Sequence, residues 1–210
     1  MSDRARKVLL ITAAALALGA AACTSTEPGT PTAAVEPGAG DPGGDSTSSA
    51  TPPSIPARPA ELKLDGVDPC SLATTDQLKQ LKVTRTQTGT YGAKPFQDAP
   101  ECVLQVDAEP PYHSYQIITI TTEGVEPWLS GKRNVDANLV SVGGYPAVRF
   151  DLAGDGPSAT DCTTSVDVAE GQQLMIQMSP TSIRAFNQDQ VCELSQQAAE
   201  LVLTTLQASR

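Results

Sequence analysis

Few residues of this chain could carry out chemistry, and their spacing matches no catalytic motif. The single histidine, His113, follows Pro110-Pro111-Tyr112, which places it in a loop or at a strand edge. A catalytic base needs an orienting partner and a nucleophile, and no serine lies in the Gly-x-Ser-x-Gly pattern of the hydrolases. We therefore expect a protein that is not an enzyme and that uses no cofactor.

Acidic residues form one further candidate site. Asp151, Asp155 and Asp161 surround Gly154 and Gly156, and carboxylates in a glycine-rich loop can hold Ca²⁺. Their spacing differs from the alternate-residue pattern of an EF-hand loop, so a solvated acidic loop is the preferred interpretation. The cysteines are at least 30 positions apart, which fits neither a redox motif nor a zinc site. We predict no metal site.

The aromatic residues provide one candidate for a contact with a partner or ligand. Trp128 is the only tryptophan and lies between Pro127 and Gly131, where we expect a loop or a short helical turn. Tryptophan is enriched among the residues that dominate binding interfaces. Trp128 is therefore the one candidate for a partner or ligand contact, and core filling is the favoured alternative.

The N-terminus has the three-part layout of an export signal. Basic residues at positions 4, 6 and 7 precede an apolar run over 8–18 and small residues over 19–22, and Cys23 follows. This layout resembles a bacterial lipoprotein signal, although Ala20 stands where a large apolar residue is usual. The resemblance implies cleavage before Cys23, a diacylglycerol lipid on that cysteine, and a location on the extracytoplasmic face of the cell membrane. The apolar segment is also shorter than the roughly 20 residues that span a bilayer.

The net charge argues against a nucleic-acid partner. Without the first 22 residues the chain has 11 basic and 23 acidic residues, a formal charge of −12. Such a surface repels phosphate backbones and anionic lipid headgroups, so we expect no nucleic-acid partner. Membrane contact is expected to come from the acyl chains alone.

A tether follows the anchor. Residues 24–58 contain seven Pro, five Gly and eleven Ser or Thr, and only Val35 and Ile55 are sizeable apolar side chains. Such a segment buries too little apolar surface to offset its ordering entropy. We predict a signal peptide over residues 1–22, a lipid-anchored disordered linker over 23–61, and a folded domain over 62–210.

Hydrophobic patterning predicts the elements of that domain. Thr74 and Gln77 form a capping box at the start of a short helix over 75–82. Val191, Leu194 and Ala198 repeat at helical spacing, which predicts a terminal helix over 187–207. Between them we predict strands at 83–90, 102–106, 115–122, 145–152, 162–168 and 172–178, with turns at Gly143-Gly144 and Glu170-Gly171. Without strand–helix alternation this order predicts an α+β fold, a mostly antiparallel twisted sheet packed by both helices.

Five landmarks recur together in this part of the chain: Pro69-Cys70-Ser71-Leu72, Cys102, the Val142–Ala147 stretch, Cys162, and Val191-Cys192. The combination resembles a large family of actinobacterial lipoproteins whose domain has no assigned function. Members often have Trp two residues after the second cysteine, where this chain has Leu104. The resemblance implies a PsbP-like fold.

The cysteines outside the anchor predict disulfides. If Cys23 is acylated, Cys70, Cys102, Cys162 and Cys192 remain, an even number in an exported protein. Four cysteines allow three pairings, and the sequence alone does not choose among them. Our preferred pairing is Cys70 with Cys102 and Cys162 with Cys192, since each joins a helical region to a strand.

Two functions fit this organisation. The leading hypothesis is a non-catalytic binding or accessory module for another envelope or extracellular protein. The alternative is a carrier that holds a hydrophobic small molecule or lipid between the sheet and the C-terminal helix.

Overall fold

A computed structural model of the protein describes residues 53–153, 159–182 and 184–210. The predicted signal peptide, Cys23, most of the predicted linker and Asp155 lie outside the described residues. The helices are α1 (Thr75–Gln80), α2 (Glu126–Leu129) and α3 (Gln188–Ala208), and a 3-10 turn spans Pro69–Leu72. The strands are β1 (Arg85–Thr90), β2 (Pro100–Val106), β3 (His113–Ile120), β4 (Val135–Val142), β5 (Tyr145–Leu152), β6 (Cys162–Ala169) and β7 (Gln172–Pro180).

The seven strands form one sheet in the order β1-β2-β3-β7-β6-β5-β4. Every neighbouring pair is antiparallel. Two meanders, β1–β3 and β4–β7, therefore meet where β3 pairs with β7. The predicted α+β fold is confirmed.

Alternation along the central strands gives the sheet two buried faces. Tyr115 and Ile117 of β3 belong to the larger core, which α3 covers through residues such as Val202. Ile118 and Ile120 belong to a smaller cluster on the other face, with Phe96, Val125, Trp128, Val148, Phe150 and Met175. We call these the helix face and the open face.

Local sequence signals were reliable at the helix starts and at the turns. Thr74 accepts a hydrogen bond from the Gln77 amide while Gln77 Oε1 accepts from the Thr74 amide, which confirms the predicted capping box. Asn187 and Gln190 form a second box at the start of α3. Gly143 joins β4 to β5 with φ of 53°, a left-handed conformation that glycine adopts without strain.

One strand was not predicted. In β4, Asp136 and Asn138 alternate with Val135 and Ala137, and both polar types are depleted in strands. The strand forms because it is the sheet edge, where those polar side chains face solvent and the alternate ones pack on the open face. Residues 121 and 122, predicted to continue β3, lie beyond its end at Ile120.

Both preferred disulfide pairs are present. Cys70–Cys102 joins the 3-10 turn to β2, and Cys162–Cys192 joins β6 to α3. Each closes a loop of about 30 residues, which is worth about 3 to 4 kcal/mol in the chain-entropy model.

No helix within the described ranges is both long and apolar enough to cross a membrane.

Residues of the predicted linker, before residue 62, already contact the folded domain. Arg58 forms an ion pair with the buried Asp167 of β6, with Nη1 2.8 Å from Oδ2. Ile55 packs against the open-face cluster, and the Leu62 amide donates to the Val168 carbonyl oxygen at 2.7 Å. The last residues of the predicted linker therefore pack on the sheet.

Candidate ligand-binding site

A groove of about 720 Å³ lies where the middle of α3, residues 194–201, passes the end of α1 and the β2–β3 connection. We call it the α3 groove. Its walls carry Leu81, Val106, Ala108, Pro110, Pro111, His113, Tyr115, Phe186, Leu194 and Leu201, and its polar lining consists of Gln80, Lys82, Glu109, Gln197 and Glu200. This volume is in the range of small-molecule sites, about 300 to 1,000 Å³.

The position of α1 beside α3 is fixed by one glutamine. Gln77 Nε2 donates to the Leu201 carbonyl oxygen at 2.7 Å, and Gln77 Oε1 accepts from the Thr205 hydroxyl at 2.9 Å. The same Gln77 completes the capping box of α1. These hydrogen bonds join the first turn of α1 to residues 201–205 of α3, and the groove lies next to this junction.

The groove is mainly apolar. Leu81, Leu194 and Phe186 are only half-buried and pack against the main core, and Leu201 is also half-buried. Lys82, Glu109 and Glu200 are exposed at the margin. An apolar ligand would complete the burial of these four side chains while the charges stay in water.

Tyr115 supplies a hydrogen-bond donor in this apolar setting. Its side chain is 2% exposed and lines the groove. Burial raises the pKa of Tyr115 to about 12, so the phenol keeps its proton throughout the physiological range.

His113 supplies a complementary acceptor. Its Nδ1 lies 2.9 Å from the Pro111 carbonyl oxygen, which can only accept, so Nδ1 carries the proton. Burial lowers the pKa of His113 below its usual 6.5, and the Pro111 hydrogen bond partly opposes the shift. The neutral ring therefore leaves Nε2 as an acceptor. The ring meets Tyr115 and Phe186 edge-to-face, with centroid distances of 5.2 and 5.5 Å.

The geometry around His113 differs from that of the histidine in a Ser-His-Asp triad. The atom that would be oriented by a carboxylate, Nδ1, is instead held by a backbone carbonyl. Within the described part of the chain, no group of three or more His, Cys, Asp or Glu side chains is placed to hold a metal ion.

Trp128, the other residue singled out by sequence, lies on the open face and is 8% exposed. Phe150 stacks on one face of its indole at 3.8 Å between centroids, and the Arg133 guanidinium lies 3.9 Å from the ring centre. Two groups this close to the centre must occupy opposite faces. The indole Nε1 donates to Gln173 Oε1 at 2.8 Å, so only an edge of Trp128 is left for an outside contact.

The structure therefore does not bring the sequence candidates together. His113 lies at the helix-face groove and Trp128 on the opposite face, beside a second cleft that Asp151 and Asp161 also line. Sequence reasoning missed Phe186 as a groove residue. The one available signal was that Leu194 and Leu201, seven positions apart, repeat on one side of α3.

Comparison with known proteins gives a family but no precedent for the site. A family model described as a protein of unknown function (DUF3558) matches residues 18–205. No curated protein and no solved structure matches the chain.

Proposed function

We propose a function from the geometry and the sequence, because the chain belongs to the DUF3558 family of proteins of unknown function, whose model covers residues 18–205. The function is that of a non-catalytic, lipid-anchored binding protein of the cell envelope. Its binding element is the α3 groove, and its ligand is a hydrophobic or amphipathic small molecule.

The observation that carries this proposal is the row of half-buried apolar side chains beside the Tyr115 hydroxyl and the His113 ring. Leu81, Leu194 and Leu201 supply apolar contact area in the groove. Tyr115 and His113 supply one fixed donor and one acceptor, and a few placed polar groups in an apolar pocket are typical of small-molecule sites.

The alternative of a protein-docking module has less support. Among the described residues, the large apolar side chains with high exposure are Tyr112 and Leu152, at 42% and 54%. Tyr112 adjoins the α3 groove, whereas Leu152 lines the cleft on the open face. They therefore form no contiguous apolar patch of the kind that marks a protein interface.

The anchor part of the proposal rests on Cys23 and the signal-like segment before it. Replacement of Cys23 by Ala removes the acceptor for the diacylglycerol. We expect the Cys23→Ala protein to leave the membrane fraction. Retention of the variant in membranes would contradict the anchor and leave the groove proposal untouched.

The groove is tested by native mass spectrometry of the full chain, purified from an oxidising compartment, before and after solvent extraction. We expect an extra mass that disappears on extraction. Leu81→Gln places an amide in the groove and is expected to lower the bound fraction severalfold, since about 1.4 kcal/mol corresponds to tenfold in affinity.

A matched control exists one turn earlier in the same segment. Leu78 is also half-buried and packed on the main core but does not line the groove. Leu78→Gln should therefore keep the bound mass at comparable stability. A bare wild-type mass, or equal loss in both variants, would overturn the groove as the binding element.

A further inference from the structure

A second cleft, of about 650 Å³, lies on the open face and is separated from the α3 groove by the sheet. We call it the aromatic cleft. Its apolar wall includes Phe96, Phe150 and Leu152, and its polar wall includes Tyr91, Asp161 and Gln177. Leu152 is 54% exposed, so among these apolar side chains it has the largest exposed fraction that a ligand could cover.

A chain of hydrogen bonds runs along the polar wall of this cleft. The Tyr91 hydroxyl lies 3.2 Å from Gln177 Oε1, and Gln177 Nε2 donates to Asp161 Oδ2 at 2.6 Å. This chain of hydrogen bonds ends on the carboxylate of Asp161, an exposed residue. A ligand that supplies a donor, rather than an acceptor, fits such a wall.

The electrostatic potential at the polar wall also favours a ligand that carries a hydrogen-bond donor. Burial and the negative charges of Glu101 and Asp161 raise the pKa of Tyr91, so the potential at this wall is negative. An organic cation is therefore favoured over an anion of the same shape.

The arginine of the cleft does not reverse this preference. Arg133 pairs with Glu123, and its guanidinium lies over the rings of Trp128 and Phe96, 3.9 and 5.3 Å from their centroids. Its Nη1 is buried and has no hydrogen-bond partner among the described residues. Lys94, also in the lining, is exposed at the rim.

We propose that the aromatic cleft is a second binding site, for a small organic amine. Its ammonium group lies beside Asp161, and its apolar body packs against Phe96, Phe150 and Leu152. The site is independent of the α3 groove, whose ligand is expected to be hydrophobic.

Trp128, the only tryptophan of the chain, has an edge in this cleft and serves as a local fluorescence reporter. The test titrates the full chain at pH 7 and low salt with three probes of one shape: 2-phenylethylamine, 2-phenylethanol and phenylacetate. We expect a saturable change with the amine, at an affinity about tenfold above that of the alcohol, and the weakest binding for the carboxylate.

Two aspartates give a matched pair of variants. Asp161→Asn keeps an oxygen that can accept from Gln177 and removes the charge, so it should abolish the preference for the amine over the alcohol. Asp65 is likewise an exposed aspartate that accepts from a β7 glutamine, Gln172 Nε2 at 2.8 Å, but it does not line the cleft. Asp65→Asn should leave the preference intact.

Three results would overturn the proposal. These are equal affinity for the three probes, tightest binding of phenylacetate, or an amine preference that Asp161→Asn does not change. Binding of a probe in the α3 groove cannot produce the expected fluorescence change, because Trp128 lies on the other face of the sheet.

Discussion

Arg58 Nη1 lies 2.8 Å from each carboxylate oxygen of Asp167, and this contact ties the end of the predicted tether to the centre of the sheet. Asp167 is 2% exposed, so its charge has little compensation from water. Burial raises the pKa of Asp167, the Arg58 hydrogen bond and charge lower it, and the charge of Glu126 raises it further.

The first prediction concerns Arg58→Met. Removal of the guanidinium leaves a buried carboxylate unpaired, and we expect a loss of about 3 kcal/mol at pH 7, measured by urea unfolding. A buried acid with a raised pKa binds its proton more tightly in the folded state. Its stabilising contribution is therefore present below its usual pKa of 3.8 and is lost as pH rises through the folded value.

Because Arg58→Met removes the two effects that lower the pKa of Asp167, the loss should be larger at pH 7 than at pH 4. The double variant Arg58→Met/Asp167→Asn removes the charge and should recover most of the pH 7 loss. Equal losses at the two pH values would show that Asp167 is not the cause.

The second prediction concerns Gln173, which is fully buried under α2. Its Oε1 accepts from Trp128 Nε1 at 2.8 Å and from the Ser165 hydroxyl at 2.5 Å. Its Nε2 donates to the carbonyl oxygens of Glu123 and Gly124. Gln173→Leu leaves these groups without their partner, and we expect a loss of about 2 to 4 kcal/mol in the free energy of unfolding.

Gln116 is the matched control for Gln173. It lies on the same face of the sheet, on β3, and its buried Oε1 has no hydrogen-bond partner among the described residues. Gln116→Leu should therefore be nearly neutral or stabilising. Similar losses in the two variants would rule out the hydrogen bonds of Gln173 as the cause.

The third prediction concerns the Cys162–Cys192 disulfide and the pairing of the four cysteines. The Cys162–Cys192 bond joins the central strand β6 to the first turns of α3. The double variant Cys162→Ala/Cys192→Ala should lose about 3 to 4 kcal/mol, which urea unfolding measures. A non-reducing peptide map of the wild type should link 70 with 102 and 162 with 192, and any crossed peptide would contradict the pairing.

The predictable parts of this fold are those set by near neighbours in the chain. The Thr74–Gln77 capping box and the Gly143 turn each depend on a few consecutive residues, and both formed as predicted. Strand β4 was missed because its polar alternation is explained only by its edge position, which depends on the order of the whole sheet.

The binding surfaces were less predictable because they depend on distant segments. The α3 groove exists where Leu81, Pro111 and Leu201 meet, and no local pattern places those three residues together. Trp128 was selected for its residue type and for its place in an expected loop or short helical turn. Its surroundings, with Phe150 on one face and Arg133 on the other, follow from strand pairing.

The last prediction uses His113, the only histidine, as a probe of the α3 groove. Burial lowers its pKa below 6.5, so between 6.5 and the folded value the unfolded chain binds more protons and stability falls as pH decreases. His113→Phe keeps the aromatic packing on Tyr115 and Phe186 without a titrating group. We expect the wild type to lose stability relative to His113→Phe between pH 7.5 and pH 5.

The ring protons of this single histidine should titrate below pH 6.5 in NMR spectra, because protonation places a cation in an apolar groove. A bound apolar ligand should lower that pKa further by excluding water. A midpoint at or above 6.5, or one that a bound ligand does not move, would place His113 in contact with solvent and remove it from the binding surface.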